Sequence, residues 1–394
     1  MAAPRSLDDL FPSDIQDKIL INHGVPIKSL LSTRCISRGS YSFISSPRFI
    51  SEHFKFNLNK SLSDNNDNNN NGHLLCNTTE RGLSTVRCNT DCTLSEISSF
   101  EIPIDYDRIV GYCNGILCVV KERHEAPCDS PPDSRIFPWT CNIYLCNPSI
   151  REFKELPPAH MTDCFDGVAC GLGYNSQNND FDFKVLRFGR FFRNDLPAVD
   201  GLDFQVYSLK TNLWNRLGSF NGSNGPTTEI DQSSGLFFNG ALHFIAKSHD
   251  HKFILSFDLY YENFREITLP QQYDGLSFER LAELNGSLAW ISFGEREGER
   301  EQALIEVCQI CEMTVYGAVE SWTGRTLQLE GVENFFGCTG SGELVIKKSS
   351  MPNQLFLFHP VTQVEKTINI GDLAPVIYTP KFIESLILLE RAIA

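Results

Sequence analysis

Four short stretches of the sequence combine residue types and spacings that could support chemistry. Cys308 and Cys311 are separated by two residues, as in a redox pair or half of a zinc site. His249-Asp250-His251 brings together two imidazoles and a carboxylate, which are side chains that bind metals. The other two stretches are the glycine-containing GLGYNS (171–176) and the charged EREGERE (295–301).

For each stretch, a structural role explains the residues better than a chemical one. No second cysteine pair with suitable spacing accompanies Cys308 and Cys311, and the alternation around them predicts a strand. The histidines lie in the polar turn SHDHK, the charged run predicts a solvated hairpin tip, and GLGYNS lacks the Lys-Ser/Thr of a phosphate loop. No nucleophile, base and orienting group can be assembled from the spacing. We therefore expect no catalytic residue, no cofactor and no metal, and a protein that is not an enzyme.

Composition limits the class of protein and its compartment. The 394 residues are 41% apolar and 21% charged, which predicts a globular chain with a small module beside one large β domain. No stretch approaches the ~18 consecutive apolar residues of a membrane span, and the N-terminus lacks the pattern of a secretory signal. We expect a cytoplasmic or nuclear protein with no membrane partner. The 14 cysteines would then be mostly small buried side chains.

Charge is distributed unevenly along the chain. Residues 1–56 contain seven Lys/Arg and five Asp/Glu, a net charge of +2, so the total of −15 leaves −17 on the remaining residues. A sequence pI of about 5.1 argues against a nucleic-acid partner, since phosphates require a basic surface. An acidic domain would instead attract a basic protein. The alternative is that the acidity only keeps a large domain soluble.

The first 56 residues show the periodicity of three or four short helices. Ser13 and Gln16 form a capping box for the first helix, Gly24 and Pro26 end it, and Pro47 begins a later one. Such a small cluster has too little core to be stable alone, so a partner or the next domain should complete it. Residues 57–72 have no periodicity, and six of the eight residues from 65 to 72 are asparagine, which predicts a linker.

Beyond the linker the pattern becomes that of many short strands. Asn-Gly turns followed by apolar runs occur in CNGILCVV (113–120), FNGALHFIA (238–246) and LNGSLAWIS (284–292), with a weaker copy in SGELVI (341–346). A second motif is a strand, a polar turn and then an aromatic or apolar anchor residue that opens the return strand. Successive anchor residues are 61, 50, 58 and 42 residues apart. The anchors are Phe153, Trp214, Phe264, Trp322 and Val364. This repetition predicts a β-propeller of about six blades, with a pair of β-sandwiches as the alternative.

The last residues, PKFIESLILLERAIA, allow two predictions. They could form a helix that starts at Pro380. Alternatively, Ile383–Leu388 could form a strand that closes the β domain onto its first blade.

In order along the chain, these motifs resemble a known family of plant proteins. FPSDIQDKIL, PIKSLLSTRCIS and SRGSYSFISSPRFISEHF are similar to an F-box. CNGILCVV, LCNPSIREFKELP, CGLGYNSQNNDFDFKVLRF, VYSLKTNLWNRL and ILSFDLYYENFREITLP resemble the F-box-associated, kelch-like domain that follows it. The layout, with YGAVESWTG, is most similar to the S-locus F-box type. The implied domains are an F-box at 9–56, an Asn-rich linker at 57–72 and the β-propeller-like domain at 73–394.

The resemblance implies a non-catalytic substrate receptor of a Skp-cullin-F-box ubiquitin ligase. The helices would bind a Skp-type adaptor, which sits on a cullin, and the β domain would hold a target protein for ubiquitination and proteasomal degradation. An S-locus type would imply recognition of basic pistil ribonucleases in self-incompatibility. The alternatives are a propeller that binds proteins or sugars without binding the adaptor and, third, an enzyme built on a propeller.

Matching the F-box pattern position by position gives the residues that the resemblance assigns to adaptor binding. They are Phe11, Pro12, Ile15, Ile19, Leu20, Pro26, Leu30, Leu31, Cys35, Ile36, Tyr41 and Ile44. The sequence departs from the family pattern in residues 21–25, which are five where three are usual, in Thr33, which replaces a Phe, and in Ser40, which replaces a Trp. We expect Tyr41 and Phe43 to fill part of the space left at Ser40. These departures are the main support for the alternative function, in which the propeller binds proteins or sugars and the helices do not bind an adaptor.

Overall fold

The structure is a computed structural model, and it describes most of the chain. The described residues are 20–21, 25–63, 72–77, 82–89, 91–124, 139–158, 165–175, 182–192, 200–221, 229–231, 235–248, 251–270, 276–297, 304–379 and 382–389. Within them, a small group of helices lies against a β-propeller of six blades. The same residues contain no helix with the length and apolar character needed to cross a membrane.

In the part of the N-terminal module that the structure describes, three helices have complete bounds: α1 (Ile27–Arg34), α2 (Arg38–Ile44) and α3 (Pro47–Ser63). Residues 20 and 21 are also helical. Ser37 caps α2, because its side chain accepts a hydrogen bond from the Ser40 amide at 3.0 Å. Pro47 is the first residue of α3, as the sequence predicted. Helix α3 continues to Ser63, seven residues into the range that was predicted as linker.

The six blades are antiparallel sheets whose strands are numbered along the chain. Blade 1 combines β1 (His73–Asn77), β2 (Gly82–Cys88) and β3 (Leu94–Glu101) with the last strand, β25 (Ala374–Thr379). Blade 2 is β4 (Arg108–Cys113), β5 (Ile116–His124), β6 (Trp139–Asn147) and β7 (Glu152–Glu155), and blade 3 is β8 (Phe165–Asn175), β9 (Asp182–Phe192), β10 (Asp200–Ser208) and β11 (Leu213–Asn221).

Blades 4 to 6, like blades 2 and 3, consist of strands that are consecutive along the chain. Blade 4 is β12 (Glu229–Ile230), β13 (Leu236–Phe238), β14 (Ala241–Lys247), β15 (Lys252–Asp258) and β16 (Asn263–Thr268). Blade 5 is β17 (Phe278–Leu284), β18 (Ser287–Glu297), β19 (Leu304–Met313) and β20 (Trp322–Gln328), and blade 6 is β21 (Val332–Cys338), β22 (Leu344–Lys348), β23 (Gln354–Phe358) and β24 (Glu365–Asn369). The prediction of about six blades is confirmed.

The two repeated sequence motifs correspond to two turns within a blade: the Asn-Gly turn between the first two strands, and the polar turn before the outermost strand. Asn114-Gly115 links the first two strands of blade 2 with φ angles of 46° and 89°, and blades 4 and 5 repeat this left-handed pair. The aromatic anchors open the outermost strands. Two of them also join neighbouring blades, since the Trp214 indole donates to the Pro157 carbonyl at 2.8 Å and the Trp322 indole to the Thr268 carbonyl at 2.9 Å.

The apolar runs do not alternate with polar residues because each blade is covered on both faces. In β5, Ile116, Cys118 and Val120 belong to the core that includes blade 3. Leu117 and Val119, on the opposite face of the same strand, belong to the core between blades 1 and 2. A strand buried on both faces therefore reads as a continuous apolar run.

The ring is closed by β25, which pairs with β1 in antiparallel fashion. The two predictions for the C-terminus are wrong, because residues 382–388 form neither a helix nor a strand. Many of their backbone groups are instead bonded to side chains of blade 2, as described below. We call residues 382–389 the C-terminal segment.

Candidate functional site

The helical module, α1 to α3 with Leu20 and Ile21, packs on one face of the propeller. Antiparallel strands place the turns between first and second strands, and between third and fourth strands, at the same end of every blade. Ile150 and Leu209 lie in such turns of blades 2 and 3, and both belong to the core that contains the module.

The inner side of the module is an apolar surface that continues the core between blades 2 and 3. Phe54 is fully buried, with its ring centroid 5.4 Å from that of Tyr174 and 6.2 Å from that of Phe183. Within the module, Phe49 packs against Phe43 at 5.2 Å. Ile27 is also buried in this core. The propeller therefore completes the core that the module is too small to form alone, which is one of the two possibilities, a partner or the next domain, that the sequence left open.

The predicted adaptor-binding residues separate into an inward set and an outward set. Leu20, Leu30 and Ile44 are 9%, 0% and 1% exposed and lie in the shared core. Leu31 is half-buried against the same core. These four side chains shape the module from inside.

The outward set forms an exposed group that we call the outer patch: Pro26, Cys35, Ile36 and Tyr41. Ile36 is 61% exposed and Tyr41 is 51% exposed, so both side chains are available to a partner. The guanidinium carbon of Arg34 lies 5.1 Å from the centroid of the Tyr41 ring and holds that ring beside α1. The outer patch has the composition of a protein-binding surface.

Phe11, Pro12, Ile15 and Ile19 lie outside the described residues. Their assignment to adaptor binding, and that of the other eight residues, stays a prediction that follows from the resemblance.

Ser40 is not beside a gap that its neighbours fill. It is 1% exposed, and its hydroxyl lies 2.9 Å from that of Ser37, inside the cap of α2. The expectation that Tyr41 fills space near Ser40 is wrong, because the Tyr41 ring points outward under Arg34. Phe43 does turn inward, toward the shared core.

The helices that carry the outer patch are positively charged. Helices α1 and α2 contain Lys28, Arg34 and Arg38 and no carboxylate. Lys28 and Arg38 are exposed. An acidic partner with an apolar surface fits this side of the module.

The C-terminal segment lies between the module and blade 2, a contact that the sequence reasoning missed. The Glu384 carboxylate accepts a hydrogen bond from the Ile27 amide at 3.3 Å, and the Asn57 side chain donates to the Glu384 carbonyl at 3.2 Å. Leu386, Ile387 and Leu389 are buried in the shared core. No local pattern signals these contacts, because their partners are more than 300 residues apart in the chain.

Asn147 holds the segment on blade 2. Its side chain is fully buried and donates to the carbonyls of Ser385 and Ile387 at 3.0 and 2.9 Å. The Tyr112 hydroxyl donates to the Ile383 carbonyl at 3.2 Å, and burial raises the pKa of that phenol well above its usual value. An asparagine at the end of the apolar run IYLCN is the one sequence signal that could have indicated this buried anchor.

Cys308 and Cys311 are buried in blade 5. Burial raises the pKa of Cys308 to about 12 and that of Cys311 to about 11, so both thiols are protonated at neutral pH. His251 bonds to Ser248 and Glu266, while His249 and Asp250 lie outside the described residues, as do Gly298–Glu301 of the charged run. Among the described residues, no group of three or more His, Cys, Asp or Glu side chains could hold a metal ion.

A cavity of about 480 Å³ runs along the inner strands of the propeller. The two arginines that line it, Arg108 and Arg280, are engaged by other groups of the protein. Arg108 pairs with Glu122 at 3.0 Å, and Arg280 donates to the Glu279 carbonyl and lies over the Phe278 ring. We take the outer patch as the candidate functional site because Ile36 and Tyr41 are exposed on the helical module that resembles an F-box.

Comparison with known families gives one match of more than half the chain. Residues 74–285 match the F-box associated beta propeller domain. The match begins at the second residue of β1 and ends in the first turn of blade 5.

Several curated proteins of Arabidopsis thaliana are similar to the chain. An F-box/kelch-repeat protein is 21% identical over 85% of this chain and 82% of its own length. The F-box protein CPR1 is 28% identical over 53% of this chain, and a third F-box protein is 26% identical over 67% of it. The chain spans 45% and 65% of the length of these last two. Among solved structures, the nidogen/laminin complex contains a chain that aligns over 78% of this one and 98% of itself, with 13% identity and a TM-score of 0.42.

Proposed function

The chain belongs to the plant F-box proteins that carry an F-box associated beta propeller domain, and from this premise we propose that it is a substrate receptor of a Skp-cullin-F-box ubiquitin ligase. The helical module binds a Skp-type adaptor and, through it, a cullin. The propeller holds a target protein for ubiquitination and degradation, in the cytoplasm or the nucleus. The chain supplies no catalytic group, since its role is to bring the target near the ubiquitin-carrying subunits.

The observation that carries this proposal is the orientation of the helical module. Its apolar inner face is already used by blades 2 and 3, yet Ile36 and Tyr41 remain exposed on its other side. A module fixed in this way presents the outer patch to a partner without further rearrangement, which lowers the entropic cost of binding. The positive charge of α1 and α2 favours an adaptor surface that is both acidic and apolar.

For the target, we infer a basic protein. The chain beyond residue 56 carries a net charge of −17, which attracts a basic partner over long range. A pistil ribonuclease is the specific target that an S-locus type would have. Binding of a basic target should weaken as salt is added, because ions screen charges over about 10 Å at 0.1 M.

Affinity purification of the full chain followed by mass spectrometry tests the receptor proposal. We expect the natural sequence to retain a Skp-type adaptor and a cullin, and the double variant Ile36→Ser, Tyr41→Ser to lose both. A matched control, Val361→Ser with Val364→Ser, replaces side chains that are 68% and 53% exposed on blade 6 and should retain both proteins. If the natural sequence retains no adaptor, the receptor proposal is wrong.

The second candidate is a propeller that binds a protein or a sugar without recruiting a ligase, and the residue at position 40 favours it. Ser40 stands where the family pattern has a Trp, and the structure buries it within the α2 cap. A Trp there would have to displace packed atoms, at a cost of about 1–3 kcal/mol. If Ser40→Trp gains adaptor binding that the natural sequence lacks, the second candidate is correct.

A further inference from the structure

The C-terminal segment has contacts that connect it to the proposed adaptor site. We propose that residues 382–389 are positioning residues for this site, because they fix the start of α1 and thereby the orientation of the outer patch. The inference rests on the proposed function for its biological meaning. Its physical content, that the C-terminal segment holds α1 in place, can be tested without an adaptor.

Among the described residues next to α1, none caps its start with a side chain. Pro26 occupies the N-cap position and makes no side-chain hydrogen bond, and the first turn contains no acidic residue. The first amide of the helix, that of Ile27, donates instead to Glu384. A carboxylate at this end both satisfies an unpaired N–H group and interacts favourably with the helix dipole. The cap of α1 is therefore supplied from a point 357 residues away.

The C-terminal segment also completes the apolar contacts of α1. Ile27 and Leu30 are 1% and 0% exposed, and they share a core with Leu386, Ile387 and Leu389. An eight-residue helix is too short to be stable in water without such packing. Pro26 is the N-cap of α1 and Cys35 is its C-cap, so the orientation of this helix decides where part of the outer patch lies.

The other side of the segment is attached firmly to blade 2. Besides the bonds from Asn147 and Tyr112, the Ser385 amide donates to the Ser149 hydroxyl at 3.1 Å and the Leu389 amide to Glu152 at 2.9 Å. Gly115 permits the close approach, since a Cβ atom at this position would lie 2.7 Å from the Ile383 carbonyl oxygen. Because the C-terminal segment is bonded to blade 2 on one side and to α1 on the other, it fixes α1 relative to blade 2.

The C-terminal segment can be removed without breaking the ring of blades. The closing strand β25 ends at Thr379, so a chain that stops there keeps every strand of the propeller. The truncation also removes Leu386, Ile387 and Leu389 from the shared core, so the point variants of Glu384 are needed beside it. A synthetic peptide of residues 380–394 can then be added back to the shortened chain.

We expect removal of residues 380–394 to speed amide exchange in residues 27–34 at least tenfold and to weaken binding of a purified Skp-type adaptor by a similar factor. The added peptide should restore both. Exchange in β14 and β15 of blade 4, far from the segment, should not change. The proposal is overturned if removal of the segment changes exchange in residues 27–34 and adaptor affinity by less than twofold.

Point variants separate capping from general destabilisation. Glu384→Ala should weaken adaptor binding roughly fivefold, the size expected from loss of a helix cap, whereas Glu384→Gln keeps an acceptor and should recover most of it. Glu365→Ala, which removes a surface partner of Lys348 on blade 6, is the control and should have no effect. Equal effects of the two Glu384 variants and the control would contradict the capping role.

The two proposals fail in different ways. If the complete chain binds no adaptor, the receptor function is wrong, and the amide exchange measurements still decide whether the segment positions α1. If the adaptor binds but neither truncation nor Glu384→Ala affects it, the receptor function stands and the positioning role is wrong.

Discussion

The propeller and the helical module obtain their stability in different ways. Five of the buried apolar clusters lie between pairs of adjacent blades and consist of strand residues and their turns. The cluster between blades 2 and 3 differs, because it also contains the inner residues of the helices and three residues of the C-terminal segment. Each blade of the propeller is thus stabilised by similar apolar cores with its two neighbours. The helical module depends on a single core, the one that it shares with blades 2 and 3.

This difference shows that two regions separated by a linker in the sequence can still share one hydrophobic core. The asparagine-rich stretch separates the module from the propeller along the chain, yet Phe54 is as buried as any residue of the blades. Changes in the shared core should therefore release the module, while equivalent changes between blades should destabilise the ring. The following predictions test that contrast, in order of decreasing effect.

The largest contrast should come from two phenylalanines that are both 0% exposed. Phe54→Ala removes a ring from the shared core, and Phe257→Ala removes one from the core between blades 3 and 4. Each should cost ~3–5 kcal/mol, the usual range for a buried Phe→Ala. Phe54→Ala should speed amide exchange in residues 27–63 and leave the calorimetric transition of the blades in place, whereas Phe257→Ala should lower that transition. Similar effects of both variants would mean that module and ring unfold together.

Acid should weaken the ring through a histidine that is buried between blades 4 and 5. Burial lowers the pKa of His243 to about 4, and its Nε2 lies 2.8 Å from the Tyr316 hydroxyl. The unfolded chain binds this proton at about pH 6.5, so its stabilising effect is complete above pH 6.5 and declines as the pH falls toward 4. The decline should approach ~3 kcal/mol.

A pH series of the melting temperature checks this prediction. His243→Gln should flatten the curve between pH 6.5 and 4. A natural protein whose melting temperature is constant over this range would contradict the role of His243. Burial also lowers the pKa of His53 in α3, so the helical module should likewise lose stability as the pH falls.

A smaller contrast comes from two asparagines on strand β6. Asn147→Ala leaves the Ser385 and Ile387 carbonyls without their donor, which should cost about 1–3 kcal/mol. Asn142→Ala removes bonds to Tyr144 and Glu155 within blade 2, at a more exposed site, and should cost less. Limited proteolysis should cut the Asn147→Ala protein faster near residues 382–389. Equal cutting of the two variants would show that the buried amide does not hold the segment.

The sequence predicted those parts of the fold that depend on neighbouring residues. Each Asn-Gly pair favours a left-handed turn by itself, and each run such as ILCVV reflects burial within one strand, so the number of blades could be inferred from their recurrence. The same holds for Pro47 at the start of α3. These signals are local and survive without knowledge of the tertiary structure.

The parts that could not be predicted depend on contacts between distant segments. Leu30 and Ile36 are both apolar residues near α1, and only the docking of α1 makes one buried and the other exposed. The pattern IESLILL of the C-terminal segment is apolar enough for a helix or a strand. It forms neither because side chains of blade 2 and α3 take its backbone hydrogen bonds.

The central claim is that the outer patch binds a Skp-type adaptor while the inner face is held by the propeller. Titration calorimetry of the purified adaptor into the full chain, and into the Ile36→Ser, Tyr41→Ser variant, tests it most directly. We predict saturable binding to the natural sequence and a loss of at least tenfold in affinity for the variant, with unchanged melting temperature, since both side chains are more than half exposed. Equal affinity for both proteins, or no binding to either, would contradict the claim.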